Sequence, residues 1–132
     1  MRKYENFCKS LENLKVIYRT DPPYDVLTLT GSVALFQICF EQAWKAAKEY
    51  LEAEGYDAAA TGSPRQVLKT AYKAGLIRDM DGWLSMLEAR NNGTHAYNED
   101  VAMTIAIDTK KRYFPLLAQF KETMEKIIKN SE

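Results

Sequence analysis

Nine consecutive residues, Arg90-Asn91-Asn92-Gly93-Thr94-His95-Ala96-Tyr97-Asn98, bring the chain's only histidine together with an arginine and a phenol. Histidine has the one unperturbed side-chain pKa near neutrality, so His95 is the natural proton-transfer group. The planar guanidinium of Arg90 matches phosphate oxygens, donating two parallel hydrogen bonds from a permanent charge. In an unbroken helix Arg90 and His95 would be rotated by roughly 140° and separated by about 7.5 Å of rise, so they would not converge, whereas Asn91 and His95 would share a face. Convergence requires a break at Gly93 or a second chain. Cleaving a phosphodiester through a ribose 2′-hydroxyl takes a base and an acid, and one histidine supplies only one of them. A two-fold dimer would place two Arg90–His95 sets across one cleft without calling on a metal. The same residues also make an ordinary helix–helix turn, in which Arg90 pairs with a carboxylate and His95 and Tyr97 cap or pack.

Two further groupings have the residue types for chemistry. Gly31-Ser32 resembles the opening of a nucleotidyl-transfer site, and Asp79-Met80-Asp81 offers the paired carboxylates that hold two divalent metals in such a site. Those parts belong on a small sheet with the carboxylates closely following the Gly-Ser, but here they stand 47 residues apart in helical surroundings. The chain is therefore not expected to be a catalytic nucleotidyltransferase itself, and Asp79 or Asp81 is expected to start a helix. Cys8 and Cys39 are distant in sequence and lack CxxC or histidine-rich company, so they are expected to be reduced core thiols rather than metal ligands or a disulfide.

Helices must position the Arg90–Asn98 stretch. Tyr4, Phe7, Leu11, Leu14 and Tyr18 fall at 3-4-3-4 spacing and predict a first helix ending near Arg19, before Asp21-Pro22-Pro23. A second helix is predicted from about residue 25 to 54 on Val33, Phe36, Phe40, Ala43, Ala47 and Tyr50, with Gly55 as its C-terminal cap. Leu35, Ile38 and Cys39 widen its apolar surface beyond one stripe, which fits either a central helix with several neighbours or a dimer interface. Residues 57–62 are expected to be a loop. Ser63-Pro64-Arg65-Gln66 has the form of a capping box opening a short third helix with Val67, Leu68, Ala71 and Tyr72, which stops around Gly75. A fourth helix carries Trp83, Leu84, Met86, Leu87 and Arg90 and loses regularity at Asn91-Asn92-Gly93. Asn98 caps a last segment with the stripe Ala102, Ile105, Thr109, Tyr113, Leu116, Phe120, Met124 and Ile127, kinked near Pro115. The expected fold is all-α: an antiparallel up-and-down four-helix bundle with one additional short helix.

Composition fits a single domain over 1–132, since 15.1 kDa with 46% apolar residues can sustain its own core. Eighteen Lys and Arg balance eighteen Asp and Glu, which excludes holding nucleic acid or membrane by an overall field and makes any such contact local. The longest uncharged stretch, residues 26–40, is 15 residues long, short of the ~20 needed to span a bilayer, and Arg2, Lys3 and Glu5 occupy the position of a signal peptide's apolar run. A soluble, cytoplasmic protein with no membrane association is expected.

Arg90, four residues, His95, one residue and Tyr97 reproduce the Arg-x4-His-x-Tyr motif of HepT-like proteins in the HEPN superfamily. Phe40-Glu41-Gln42-Ala43-Trp44-Lys45 resembles the Phe-Glu-x-Ala-Trp-Lys segment of the nucleotidyltransferase substrate-binding protein family. The resemblance covers nearly the whole chain. It implies a helical bundle similar to the substrate-binding domain of kanamycin nucleotidyltransferase, usually dimeric. It also implies a cognate minimal nucleotidyltransferase on a second chain that uses ATP and a divalent metal, with no cofactor in this one. Carried over by position, Arg90 and His95 would form a metal-independent RNase site at a homodimer interface, Asn91 would support it, and Tyr97 would be the hydroxyl adenylylated by the partner. The resemblance leaves three functions open: the substrate-binding or partner subunit of a two-chain nucleotidyltransferase, an RNase toxin silenced by its partner, or a noncatalytic dimeric interaction module.

Overall fold

A computed structural model describes residues 2–131. The first stripe winds into α1, Arg2–Leu14, which buries Phe7, Leu11 and Leu14. The chain then tightens into a 3₁₀ turn over Lys15–Arg19. With three residues per turn, Ile17 follows Leu14 into the core and Tyr18 swings outward, so the expected place of Tyr18 on the buried stripe is corrected. Its ring instead packs edge-on against Phe114 at 5.2 Å, and its hydroxyl donates to the Lys110 carbonyl at 2.7 Å.

Asp25 opens α2, Val26–Ala53, by accepting from the Thr28 amide. By length and composition alone α2 could cross a membrane. In this fold it is the central helix, packed against α1 and against the later helices α4, Pro64–Lys73, α5, Met80–Asn92, and α6, Glu99–Asp108. That accounts for its wide apolar surface: Leu29, Val33, Phe36, Cys39, Phe40, Ala43, Ala46, Ala47 and Leu51 are buried, Leu51 replacing the expected Tyr50. Ile38 is not covered.

Gly55, at φ 86°, ends α2 with paired bonds from the Gly55 amide to the Glu52 carbonyl and from the Tyr56 amide to the Leu51 carbonyl. This left-handed position suits glycine, which carries no Cβ to clash. Gly75 repeats the arrangement after α4, with Leu76 bonding back to Ala71. The expected loop over 57–62 contains instead a one-turn helix, α3, Asp57–Thr61, whose Ala59 is buried. Its alanines favour helix without offering the periodic stripe by which longer helices are recognised. Ser63 then accepts from the Gln66 amide to start α4.

Asp79, not Asp81, caps α5 by accepting from Gly82, and it also meets Arg112 at 3.3 Å. The last segment is two helices, α6 and α7, Phe114–Asn130, joined by a wide π turn over Thr109–Tyr113. The wide turn precedes Pro115, which has no N–H to continue a regular ladder. It moves one position of the stripe, from Leu116 to Leu117: Ile105, Thr109, Tyr113 and Leu117 are buried at successive intervals of four, the expected Leu116 lies half out, and Phe120 and Met124 are buried as expected. An aromatic core of Phe7, Phe36, Phe40, Trp83 and Phe120 joins α1, α2, α5 and α7, with Trp83 5.8 Å from Phe120 and 6.3 Å from Phe40. Among the described residues the bundle is all-α, as expected.

Candidate functional site

Arg90 is placed by the buried stripe of α5. Trp83, Met86 and Leu87 fix the helix face against α2, and Arg90 follows one turn beyond Leu87 on that face, so its guanidinium reaches α2 rather than solvent. It meets Glu41. Nε donates to Glu41 Oε1 at 2.5 Å, and Nη2 forms an ion pair with the same oxygen. Nη1 donates to Asn91 Oδ1 at 3.0 Å. The other carboxylate oxygen, Glu41 Oε2, accepts from Trp44 Nε1 at 3.1 Å and stands 3.9 Å from Lys45 Nζ. The plain reading of Arg90, an ion pair with a carboxylate, is thus part of the geometry. The Arg90 side chain nevertheless stays 30% exposed at the edge of an open cavity of about 390 Å³ lined by Gln37, Glu41, Arg90, Asn91 and Thr94.

The expected break at Gly93 is present. α5 ends at Asn92, and Gly93–His95 forms a single 3₁₀ turn closed by the Ala96 amide on the Gly93 carbonyl. Gly93 leaves room for Gln37: a Cβ there would come within 2.0 Å of Gln37 Nε2, the amide that donates to the Arg90 carbonyl at 3.1 Å, so the end of that side chain would have to move. Asn98 then caps α6, accepting from the Asp100 and Val101 amides. His95 and Tyr97 project from this short connection, both exposed, with ring centroids 6.2 Å apart. Tyr97 is 86% exposed. One chain therefore brings Arg90 and Asn91 to the cavity and leaves His95 and Tyr97 outside its lining.

Glu41, Gln37 and Thr94 were not among the expected site residues. Glu41 and Trp44 carried a signal, since they belong to the Phe40–Lys45 segment, but their role depends on a contact across 49 positions of sequence. Gln37 lies one turn before Glu41 on the same face of α2 and has no signal of its own. Ser32, in the Gly31-Ser32 pair, lies inside α2, where its hydroxyl donates to the Thr28 carbonyl. A second open cavity, about 350 Å³, runs between α5 and α6 beside Ser85, Glu88, Asp100, Asp108 and Tyr113. Burial raises the Tyr113 phenol above the usual tyrosine range, opposed by its bond with Ser85.

A family model described as nucleotidyltransferase substrate binding protein like matches residues 1–126. The chain belongs to this family. A protein of Thermus thermophilus shares its fold at a TM-score of 0.76 and 31% identity, over 86% of this chain and 94% of that one. HI0074 of Haemophilus influenzae, described as revealing the fold of a substrate-binding domain of a nucleotidyltransferase, superposes at a TM-score of 0.70 and 17% identity over 94% and 95% of the two chains. The probable ribonuclease HepT of Haemophilus influenzae is 27% identical over 79 residues, 58% of this chain, and the match spans about half (54%) of that relative's length.

Proposed function

We propose that this family member is the helical partner subunit of a two-chain nucleotidyltransferase system, a cytoplasmic homodimer that presents Tyr97 to a separate nucleotidyltransferase. The observation that carries this reading is the phenol itself, exposed on the turn between two capped helices and free of any hydrogen bond to its own chain among the described residues. The partner supplies ATP and a divalent metal. The Tyr97 oxygen attacks the α-phosphorus, an O–P bond forms, the α–β bridge breaks, pyrophosphate leaves, and the phenolic proton passes to a base. Incubation with the nucleotidyltransferase and ATP is expected to add adenylyl mass to the intact chain, and Tyr97→Phe to prevent it. An unchanged mass beside an active partner contradicts the reading.

A second reading, a metal-independent RNase, is favoured by the Arg90 cavity and by likeness to a probable ribonuclease. In it, the RNA 2′-oxygen attacks the adjoining phosphorus and the 5′-oxygen leaves, giving a 2′,3′-cyclic phosphate. One protomer's His95 takes the 2′-hydroxyl proton, the partner's His95 returns a proton to the leaving oxygen, and Arg90 holds the charge that builds on the phosphorane. Cleavage of RNA in EDTA that is lost in both Arg90→Ala and His95→Ala supports it. Cleavage retained in both variants places the activity elsewhere.

A further inference from the structure

We propose that Glu41 is a positioning residue for Arg90, and that Trp44 is its anchor, so that the Phe40–Lys45 segment forms the second half of the site. This rests on the RNase reading of Arg90. A guanidinium carries five N–H donors in a rigid plane. Glu41 Oε1 takes the Nε donor and one from Nη2, and Asn91 takes one from Nη1. Three donors are thus committed to the protein, and two remain, one on each terminal nitrogen. With the Nε–Nη2 edge of the plane held by Glu41, one N–H on each terminal nitrogen is left for a ligand at the cavity that Arg90 lines. That is the paired geometry a phosphate accepts.

A carboxylate on a long side chain positions another group only if it is itself held. Phe40, adjoining Glu41, is fully buried and packs on Trp83 of α5, which fixes the register of the two helices. Trp44, one turn on, is half-buried against the core and gives its indole N–H to the second carboxylate oxygen. Both oxygens of Glu41 are therefore engaged, each from a different element. Lys45 stands beside the same oxygen and offsets the charge that Glu41 brings next to an anion-binding arginine. The two motifs, separated by more than 40 residues, are joined through one carboxylate.

The test uses the full chain, as wild type, Glu41→Gln and Trp44→Phe. Three quantities are measured: single-turnover cleavage of an RNA oligonucleotide in EDTA, affinity for the same oligonucleotide with a 2′-deoxy residue at the cut position, and solvent exchange of the Arg90 Nε–H by NMR. Glu41→Gln is nearly isosteric but neutral, so it is expected to slow cleavage by about tenfold or more while affinity changes by less than about threefold. Trp44→Phe is expected to shift the rate in the same direction by a smaller factor, and Arg90 Nε–H exchange to quicken in both. A Glu41→Gln rate equal to wild type overturns the proposal, as does a rate loss matched by an equal loss of affinity. Absence of cleavage in the wild type defeats the RNase reading alone. The exchange measurement then decides, because an Arg90 Nε–H equally protected in wild type and Glu41→Gln removes the clamp.

Discussion

At the scale of single residues, the proposed chemistry of this chain depends on what keeps Arg90 in place. Gly93 shows how little room there is. Its Cβ would displace the Gln37 amide and with it the bond to the Arg90 carbonyl, so Gly93→Ala is expected to cost only about 1 kcal/mol of stability in a denaturant titration. The same change is expected to reduce activity at the turn far more than that loss of stability implies. Cys39 bears on pH. Burial pushes its thiol up to about 12, and the Ser10 contact only partly opposes this. An unfolded cysteine titrates near ~8.5, so the contribution of the buried thiol is full below that pH and declines as pH rises towards 12. Denaturation midpoints are expected to fall between about pH 8 and 10, less steeply in Cys39→Ala, and a midpoint constant over that range would contradict the assignment. Arg90 and Asn91, which line the cavity, were legible in the sequence because they lie with His95 and Tyr97 in one short stretch of chain. Glu41 was visible only as part of a segment, since its partner is remote in sequence and only the packing of Phe40 on Trp83 brings the two together.

At the scale of elements, caps and stripes were legible and changes of helical pitch were not. Asp25, Ser63, Asp79 and Asn98 all accept amide bonds at helix starts, and Gly55 and Gly75 end helices in the left-handed region. These are local signals that survive packing. A 3₁₀ or π turn alters the period itself, and a stripe counted at 3.6 residues per turn then drifts by one position, from Tyr18 to Ile17 and from Leu116 to Leu117. The π turn therefore makes a clear prediction. Leu117→Ala is expected to cost about 2–5 kcal/mol and Leu116→Ala roughly half as much or less, read from paired denaturant midpoints. Equal losses would mean that the last segment is a single regular helix. The Asp57–Thr61 turn escaped detection for a different reason, because a one-turn helix of alanines has no period to find.

At the scale of the whole molecule, one chain does not gather Arg90, Asn91, His95 and Tyr97 into one cavity. Arg90 lines a cavity that His95 does not enter, and each chain holds one histidine where phosphodiester cleavage takes two proton-transfer groups. On the adjoining part of α2, Leu27, Gly31, Ala34 and Ile38 recur at helical spacing, and Leu27 and Ile38 are 82% and 55% exposed. Ile38 follows Gln37 of the cavity directly, so a second copy seated on this stripe would bring two Arg90–Tyr97 turns towards one cleft. Ile38→Asp is accordingly expected to convert a dimer to a monomer in light scattering while the helical circular dichroism of the fold is kept, and an unchanged mass would place the interface elsewhere. Zero net charge is consistent with this arrangement, because Lys45 beside each Arg90–Glu41 pair leaves a small positive surplus at the cleft on a neutral surface. If one turn carries both an RNA-cleaving site and the hydroxyl that silences it, the decisive experiment follows RNA cleavage in EDTA before and after the chain has been incubated with its nucleotidyltransferase and ATP. Cleavage is expected to fall in step with adenylyl mass on wild type and to persist in Tyr97→Phe; full cleavage by an adenylylated chain, or silencing of Tyr97→Phe, would contradict that assignment.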